Sequence, residues 1–127
     1  MAFDTNAFVR AYIVAALWSS TDEKGEPLDA VFSEEDLAEE TAQKMRSDCE
    51  DFIQANAGDL TVYCLQMKNE QWSGEARAGH DFWLTRCGHG TGFWDRGLGN
   101  LGERLSTAAK VYGNVDLYVG DDGQLYA

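Results

Sequence analysis

Residues Gly79–Gly97 read GHDFWLTRCGHGTGFWDRG, and the fold turns on how this stretch is read. Phe82, Trp83 and Leu84 precede a loop in which Gly88, Gly90 and Gly92 alternate, and Phe93 and Trp94 follow it. Two aromatic arms around a glycine-rich loop predict a β-hairpin, with Asp81–Arg86 pairing with Phe93–Arg96. The same stretch gathers both histidines, His80 and His89, with Asp81, Asp95, Arg86 and Arg96. Two imidazoles and two carboxylates at His80, Asp81, His89 and Asp95 have the chemistry to bind a divalent metal or to do acid–base work. The competing reading is structural: the two aspartates satisfy the loop's own amides or pair with Arg86 and Arg96. No HxxxH or HxH spacing supports a metal, and Gly88-x-Gly90-x-Gly92 is not the phosphate-cradling GxGxxG pattern. Cys87 and His89 could pair as nucleophile and base, but no third group is evident to orient them.

Downstream, Asn100-Leu-Gly-Glu103 has the type of a capping box, and Leu101, Leu105, Ala108 and Tyr112 form the inner face of a helix that Gly113 stops. Val115, Leu117 and Val119 then alternate with polar or exposed positions as in a strand. Gly120–Gly123 is a turn by composition, and Gln124–Tyr126 returns. Upstream, Leu60, Tyr63, Cys64, Met67 and Gln71 predict a helix from Asp59 to Trp72, with Ser73–Ala78 as a loop. Ser33-Glu34-Glu35-Asp36 resembles a capping box and opens a long helix to about Asn56. Its inner face carries Leu37, Met45, Cys49, Phe52 and Ile53. Nearest the start, Asp4, Thr5 or Asn6 caps a helix over Ala7–Trp18, apolar on nearly every side and therefore buried. The expected fold class is α+β: one domain over residues 1–127, with about four helices packed against a small antiparallel β-sheet built from hairpins.

Charge adds the strongest global signal. The 127 residues carry 22 acids against 10 lysines and arginines, for a net −12. Residues 1–60 hold 14 of the acids and 4 of the bases, so the first half is the acidic one. This argues against direct contact with nucleic acid, which needs basic neutralisation of phosphates, and suits a basic protein surface. On the long helix, Asp36, Glu39, Glu40, Glu50 and Asp51 face outward; the preceding loop adds Asp22, Glu23, Glu26 and Asp29. The five helical acids span roughly 22 Å at ~1.5 Å per residue, about one charge per 4–5 Å, against one per ~1.7 Å in duplex DNA. As a nucleic-acid mimic the helix is sparse, and the loop acids narrow the gap without closing it. The competing reading is a solvated face that confers solubility.

Cys49, Cys64 and Cys87 share no CxxC spacing and read as reduced thiols in a cytosolic protein. Ala11–Trp18 is too short to span a bilayer, which takes ~20 residues, and the acidic Asp4 is at odds with a signal peptide.

The block GHDFWLTRCGHGTGFWDRGLG and the tail VYGNVDLYVGDDGQLY resemble a family of small acidic proteins encoded by bacteriophages and other mobile elements. In that family the GHDFWLTR…GHG.GFWDR block and the DLYVGDDG tail recur. The similarity extends upstream through TDEKGEPLD and SDCEDF. Cys87 departs from the polar residue expected at its position, which speaks against a thiol mechanism. The resemblance assigns no catalytic residue. It implies a phage-type protein acting in the cytoplasm of a bacterial host, where small acidic phage proteins often antagonise CRISPR and restriction systems. The expectation is thus a non-enzymatic inhibitor without metal or cofactor. It would dock Asp22, Glu23, Glu26, Asp36, Glu39, Glu40, Glu50 and Asp51 onto the basic, nucleic-acid-binding surface of a host defence protein. The alternatives are a metal-dependent or acid–base enzyme at His80, Asp81, His89 and Asp95, and a phage accessory protein.

Overall fold

The computed structural model describes residues 3–88 and 92–127. Among these, five α-helices carry the structure: α1 (Thr5–Ser19), α2 (Glu39–Ala55), α3 (Ala57–Met67), α4 (Gly74–Arg86) and α5 (Asn100–Lys110). A two-stranded antiparallel ribbon, β1 (Tyr118–Val119) with β2 (Leu125–Tyr126), completes it. Tyr118 faces Tyr126 and Val119 faces Leu125. The α+β class holds, weighted towards helix. No helix among the described residues is long and apolar enough to cross a membrane.

The expected hairpin of Asp81–Arg86 with Phe93–Arg96 is not there. Asp81–Arg86 is the second half of α4, and Phe93–Asp95 is one 3-10 turn. The expected loop over Ser73–Ala78 is instead the start of α4. Ser73 caps that helix, its Oγ accepting the Ala76 N–H at 3.1 Å. Periodicity misleads here because α4 is surrounded. Ala78, Gly79 and every residue from Asp81 to Arg86 are buried, so no polar stripe marks the helical repeat.

The two glycines of α4 serve packing rather than turns. A Cβ on Gly79 would lie 2.0 Å from the carbonyl oxygen of Phe8 in α1, and one on Gly74 would lie 2.4 Å from the Cα of Cys64 in α3. Hydrogen alone at these positions lets the backbones approach. On α1, Asp4 accepts the Ala7 N–H at 3.0 Å, as its capping role requires. Phe8, Tyr12, Ala15 and Ala16 are almost fully buried. Between the helices Phe82 stacks on Phe52 at 4.1 Å, and Tyr12 meets Trp83 edge-on at 5.2 Å. The Trp83 indole donates to Ser19 Oγ at 2.8 Å, so its one polar atom is satisfied.

The long helix expected from Ser33 is also interrupted. Glu34–Asp36 is a separate 3-10 turn, in which the Asp36 carboxylate accepts the Ser33 N–H at 2.8 Å. Leu37 is extended and bridges Leu125 in parallel, and the Ala38 N–H donates to the Leu125 carbonyl at 3.0 Å. A backbone that lends these groups to the C-terminal ribbon cannot also be helical, so α2 starts at Glu39. The helix expected over Asp59–Trp72 runs over Ala57–Met67, and the strand expected over Val115–Val119 shrinks to two residues. Gly92, at φ +154°, sits where a Cβ would lie 2.2 Å from Thr85 Oγ1. That hydroxyl accepts the Phe93 N–H at 3.1 Å, fixing the buried Phe93 ring against Tyr63.

Gly79→Ala forces α1 and α4 apart and is expected to cost about 1–3 kcal/mol as an overpacked core. That outweighs the ~1 kcal/mol of helix propensity it gains. Gly58→Ala, which meets nothing within 4 Å, is expected to be neutral or to stabilise by up to ~1 kcal/mol. Urea denaturation of both variants checks the contrast.

Candidate functional site

Helix α4 delivers two buried charges of opposite sign to two separate places. Arg86, with 3% of its side chain exposed, donates to Asp48 Oδ2 at 2.9 Å and Tyr12 Oη at 3.1 Å. It also donates to the carbonyls of Gly113 at 2.8 Å and Tyr112 at 2.8 Å. Its guanidinium lies against the rings of Phe82 and Tyr112. Burial disfavours its charge, but Tyr12 and Asp48 outweigh burial and hold the guanidinium protonated. This is a structural clamp joining α1, α2, α4 and the end of α5. Each of its three guanidinium nitrogens has a hydrogen-bond partner.

Asp81 is fully buried. Arg96 reaches it with a fork, Nε to Oδ2 at 3.0 Å and Nη2 to Oδ1 at 2.7 Å. The Tyr63 hydroxyl donates to Oδ2, and His80 Nδ1 lies 3.2 Å from Oδ1. Burial pushes the Asp81 carboxyl up, yet the bonds from His80, Arg96 and Tyr63, with the charge of Arg96, outweigh it and hold it below the ordinary carboxylate value. The carboxylate accepts only, so His80 Nδ1 is its donor and Nε2 points elsewhere. The His80 ring lies between two indoles, stacked with Trp18 at 6.0 Å and edge-on to Trp72 at 5.6 Å. Beside it opens a cleft of about 200 Å³ lined by Trp72, Arg77, His80 and Arg96.

Of the four residues expected to form a reactive centre, the described part of the chain brings His80 and Asp81 together on one helix. Asp95 is exposed on its 3-10 turn, and His89 lies outside the described residues. Among the described residues no group of three or more His, Cys, Asp or Glu could hold a metal. The Cys87 thiol is pushed up by burial and donates to the Val115 carbonyl at 3.6 Å, the opposite of an activated nucleophile. Trp72 and Arg77 carry no motif that marks them as site residues, and Tyr63 shows in the sequence only as part of a helix face. Reading Gly74–Arg86 as a helix puts Arg77 and His80 one turn apart.

The acidic residues divide into two groups. Glu39, Glu40, Glu50 and Asp51 are all exposed on α2, the first two in its first turn and the others in the turn before its last. At 100° per residue they fall within a 120° arc, and Glu39 to Asp51 spans roughly 18 Å. Glu23 and Glu26 are exposed on the preceding loop. Two others have internal duties. Asp22 accepts the N–H groups of Lys24 at 2.8 Å and Glu26 at 3.0 Å, and Asp36 caps its turn. Asp51 accepts the Tyr112 hydroxyl at 2.5 Å. The bases of this segment face their own acids, Lys44 with Asp48 at 2.7 Å and Arg46 with Glu50 at 3.5 Å.

No protein-family model matches the chain, and no curated protein or solved structure matches it significantly.

Asp81 gives a pH signature with a definite sign. Its carboxyl is held below the usual 3.8, so its contribution to stability is complete above that value. The contribution is lost as pH falls through the depressed folded value. Asp81→Asn removes this dependence. Urea denaturation from pH 5 downward is expected to show the wild type losing stability more steeply than Asp81→Asn, with the difference opening below about pH 4.

Proposed function

We propose that this protein is a non-enzymatic antagonist of bacterial host defence. In this reading it docks the outer face of α2 and the adjoining loop onto the basic, nucleic-acid-binding surface of a host protein. The observation that carries the reading is the state of the cations. Arg86, Arg96 and Arg104 each lie in a bidentate or buried pair with an aspartate, Asp48, Asp81 and Asp59 respectively. Lys44 and Arg46 also face acids of their own helix, Asp48 and Glu50, so half of the ten bases are tied to an acid, while Glu23, Glu26, Glu39, Glu40 and Asp51 join no ion pair among the described residues. Uncompensated surface charge of one sign speeds encounter with a surface of the other sign and selects against like-charged partners.

The spacing shapes the reading. The acids of α2 come as two pairs, Glu39–Glu40 and Glu50–Asp51, separated by Gln43 and Ser47 on the same arc. This is a two-point clamp for basic side chains, not a continuous imitation of a duplex. Resemblance to small acidic phage proteins supplies the setting, the cytoplasm of a bacterial host, and host-defence proteins such as CRISPR effectors and restriction enzymes supply suitable basic grooves.

The test is affinity capture from a bacterial lysate, with mass spectrometry of the bound proteins. The wild type is expected to retain a nucleic-acid-binding protein that its own nucleic acid displaces. Glu39→Lys, Glu40→Lys and Glu50→Lys combined are expected to abolish that capture while lowering the thermal melt only modestly, because all three side chains are exposed and lose surface interactions alone, with the helix start and with Arg46. Capture that survives the reversal, or that nucleic acid does not compete away, rejects the docking face.

A further inference from the structure

On a chain of net −12, the cleft beside His80 is an anomaly. Two of its four lining residues are arginines and none is acidic. The buried carboxylate behind it is already satisfied. Asp81 receives two N–H groups from Arg96, the Tyr63 hydroxyl and His80 Nδ1, and an ionised carboxylate offers about four lone-pair positions. Asp81 therefore has no acceptor to spare for a second guanidinium. Arg77 is that second guanidinium. It joins no ion pair among the described residues, and its Nε–H is buried with no hydrogen-bond partner. Arg96 is turned so that Nε and Nη2 face Asp81, leaving Nη1 outside that pair on a residue that lines the cleft.

Buried donors without acceptors are rare because each carries the full cost of lost hydration. Here the unmatched donor belongs to a cation whose side chain lines an open cleft. The exposed acid whose charge acts on Arg96, Asp95, is not part of the lining. What the space lacks is an acceptor of negative charge. Guanidinium forks match planar or tetrahedral oxygen groups, carboxylate or phosphate, and hold them with charge-assisted bonds. The volume of about 200 Å³ lies below the 300–1,000 Å³ of pockets for drug-sized ligands. It accommodates a small oxyanion group. Trp72 forms the wall of the cleft and contributes an apolar side next to the charged one.

We propose that the Trp72–Arg77–His80–Arg96 cleft is a binding site for a small oxyanion, a phosphate or carboxylate group, held by Arg77 and the Nη1 edge of Arg96 against the Trp72 indole. Asp81 does not touch the anion. With Tyr63 it orients Arg96 and sets the tautomer of His80. The site is independent of the acidic face of α2, since none of its residues belongs to that helix or its loop.

The experiment is calorimetric titration of the whole protein with inorganic phosphate and, separately, with acetate, at constant ionic strength with chloride as the balancing anion. Saturable binding of either anion is expected, and the arm that saturates identifies the group. Arg77→Gln is expected to weaken it about tenfold or more, the loss of bonds to a charged donor. Its melting temperature should be equal to or above the wild type, because the variant removes an unmatched cation. A second readout needs no folding assumption about a variant. The Trp72 indole N–H resonance, assigned with Trp72→Phe, should shift saturably with the anion in the wild type. The site is overturned if neither anion saturates, if Arg77→Gln binds as well as the wild type, or if the anion leaves the Trp72 resonance in place.

Discussion

The close crossing of α1 and α4 is the constraint on which the remaining packing rests. Gly79 lies against the Phe8 carbonyl with no room for a methyl group, and this contact brings the α4 backbone near enough for its side chains to reach past α1. Arg86 then meets Tyr12 and Asp48, Trp83 meets Ser19, and Phe82 stacks on Phe52. A buried guanidinium is tolerable only when each of its donors is matched, and the matching depends on the interhelical distance. The glycine thus sets a spacing that the ion pair requires. The same helix, less than two turns earlier, offers Asp81 to the other side of the molecule. The two charges differ in what surrounds them. Arg86 is enclosed by acceptors drawn from three segments, whereas Asp81 is filled by Arg96, Tyr63 and His80 and Arg77 is left over at the cleft. The first arrangement is closed, and the second leaves chemistry over.

The division of labour among the acids follows from the same accounting of partners. Asp48, Asp59 and Asp81 are matched to arginines, and Asp22 and Asp36 hold backbone N–H groups. Those on the outer arc of α2 have fewer internal duties. Net charge alone does not reveal this division, because it counts a carboxylate under an arginine and one in open solvent alike.

Some of this was legible in the residues. Four alanines within Ala7–Trp18 and the lack of a polar face marked α1 as a buried helix, and the inner face of α5 followed from Leu101 and Leu105. Asp48 was also within reach: it sits three residues after Met45 and four before Phe52, on the apolar face, where a carboxylate needs a partner. The exposure of Glu39, Glu40, Glu50 and Asp51 followed from the same periodicity. The hairpin reading failed for a reason outside the segment. Phe82, Trp83 and Leu84 in succession suit a strand locally, and Gly74 and Gly79 look like breakers. The reasons for those glycines lie in Cys64 and Phe8, and a window along the chain does not contain them. With α4 misread, Arg77 and His80 could not be placed on adjoining turns, and the cleft they line was hidden. The interruption at Leu37 and Ala38 was likewise decided by Leu125, far along the chain.

The clamp between α1 and α4 also bears on how fast the chain reaches this arrangement. Helical domains usually assemble from neighbours in sequence and fold quickly. Here the bonds that lock the two central helices join residues 64 and 74 positions apart, Trp83 to Ser19 and Arg86 to Tyr12. Closing so long a loop costs roughly 2–3 kcal/mol more entropy than closing a four-residue turn, and the cost falls due before Arg86 finds its acceptors. A mostly helical chain thereby acquires the kinetics of a more tangled topology, with a slower search and a longer interval in which Phe8, Phe52 and Phe82 stand open to water.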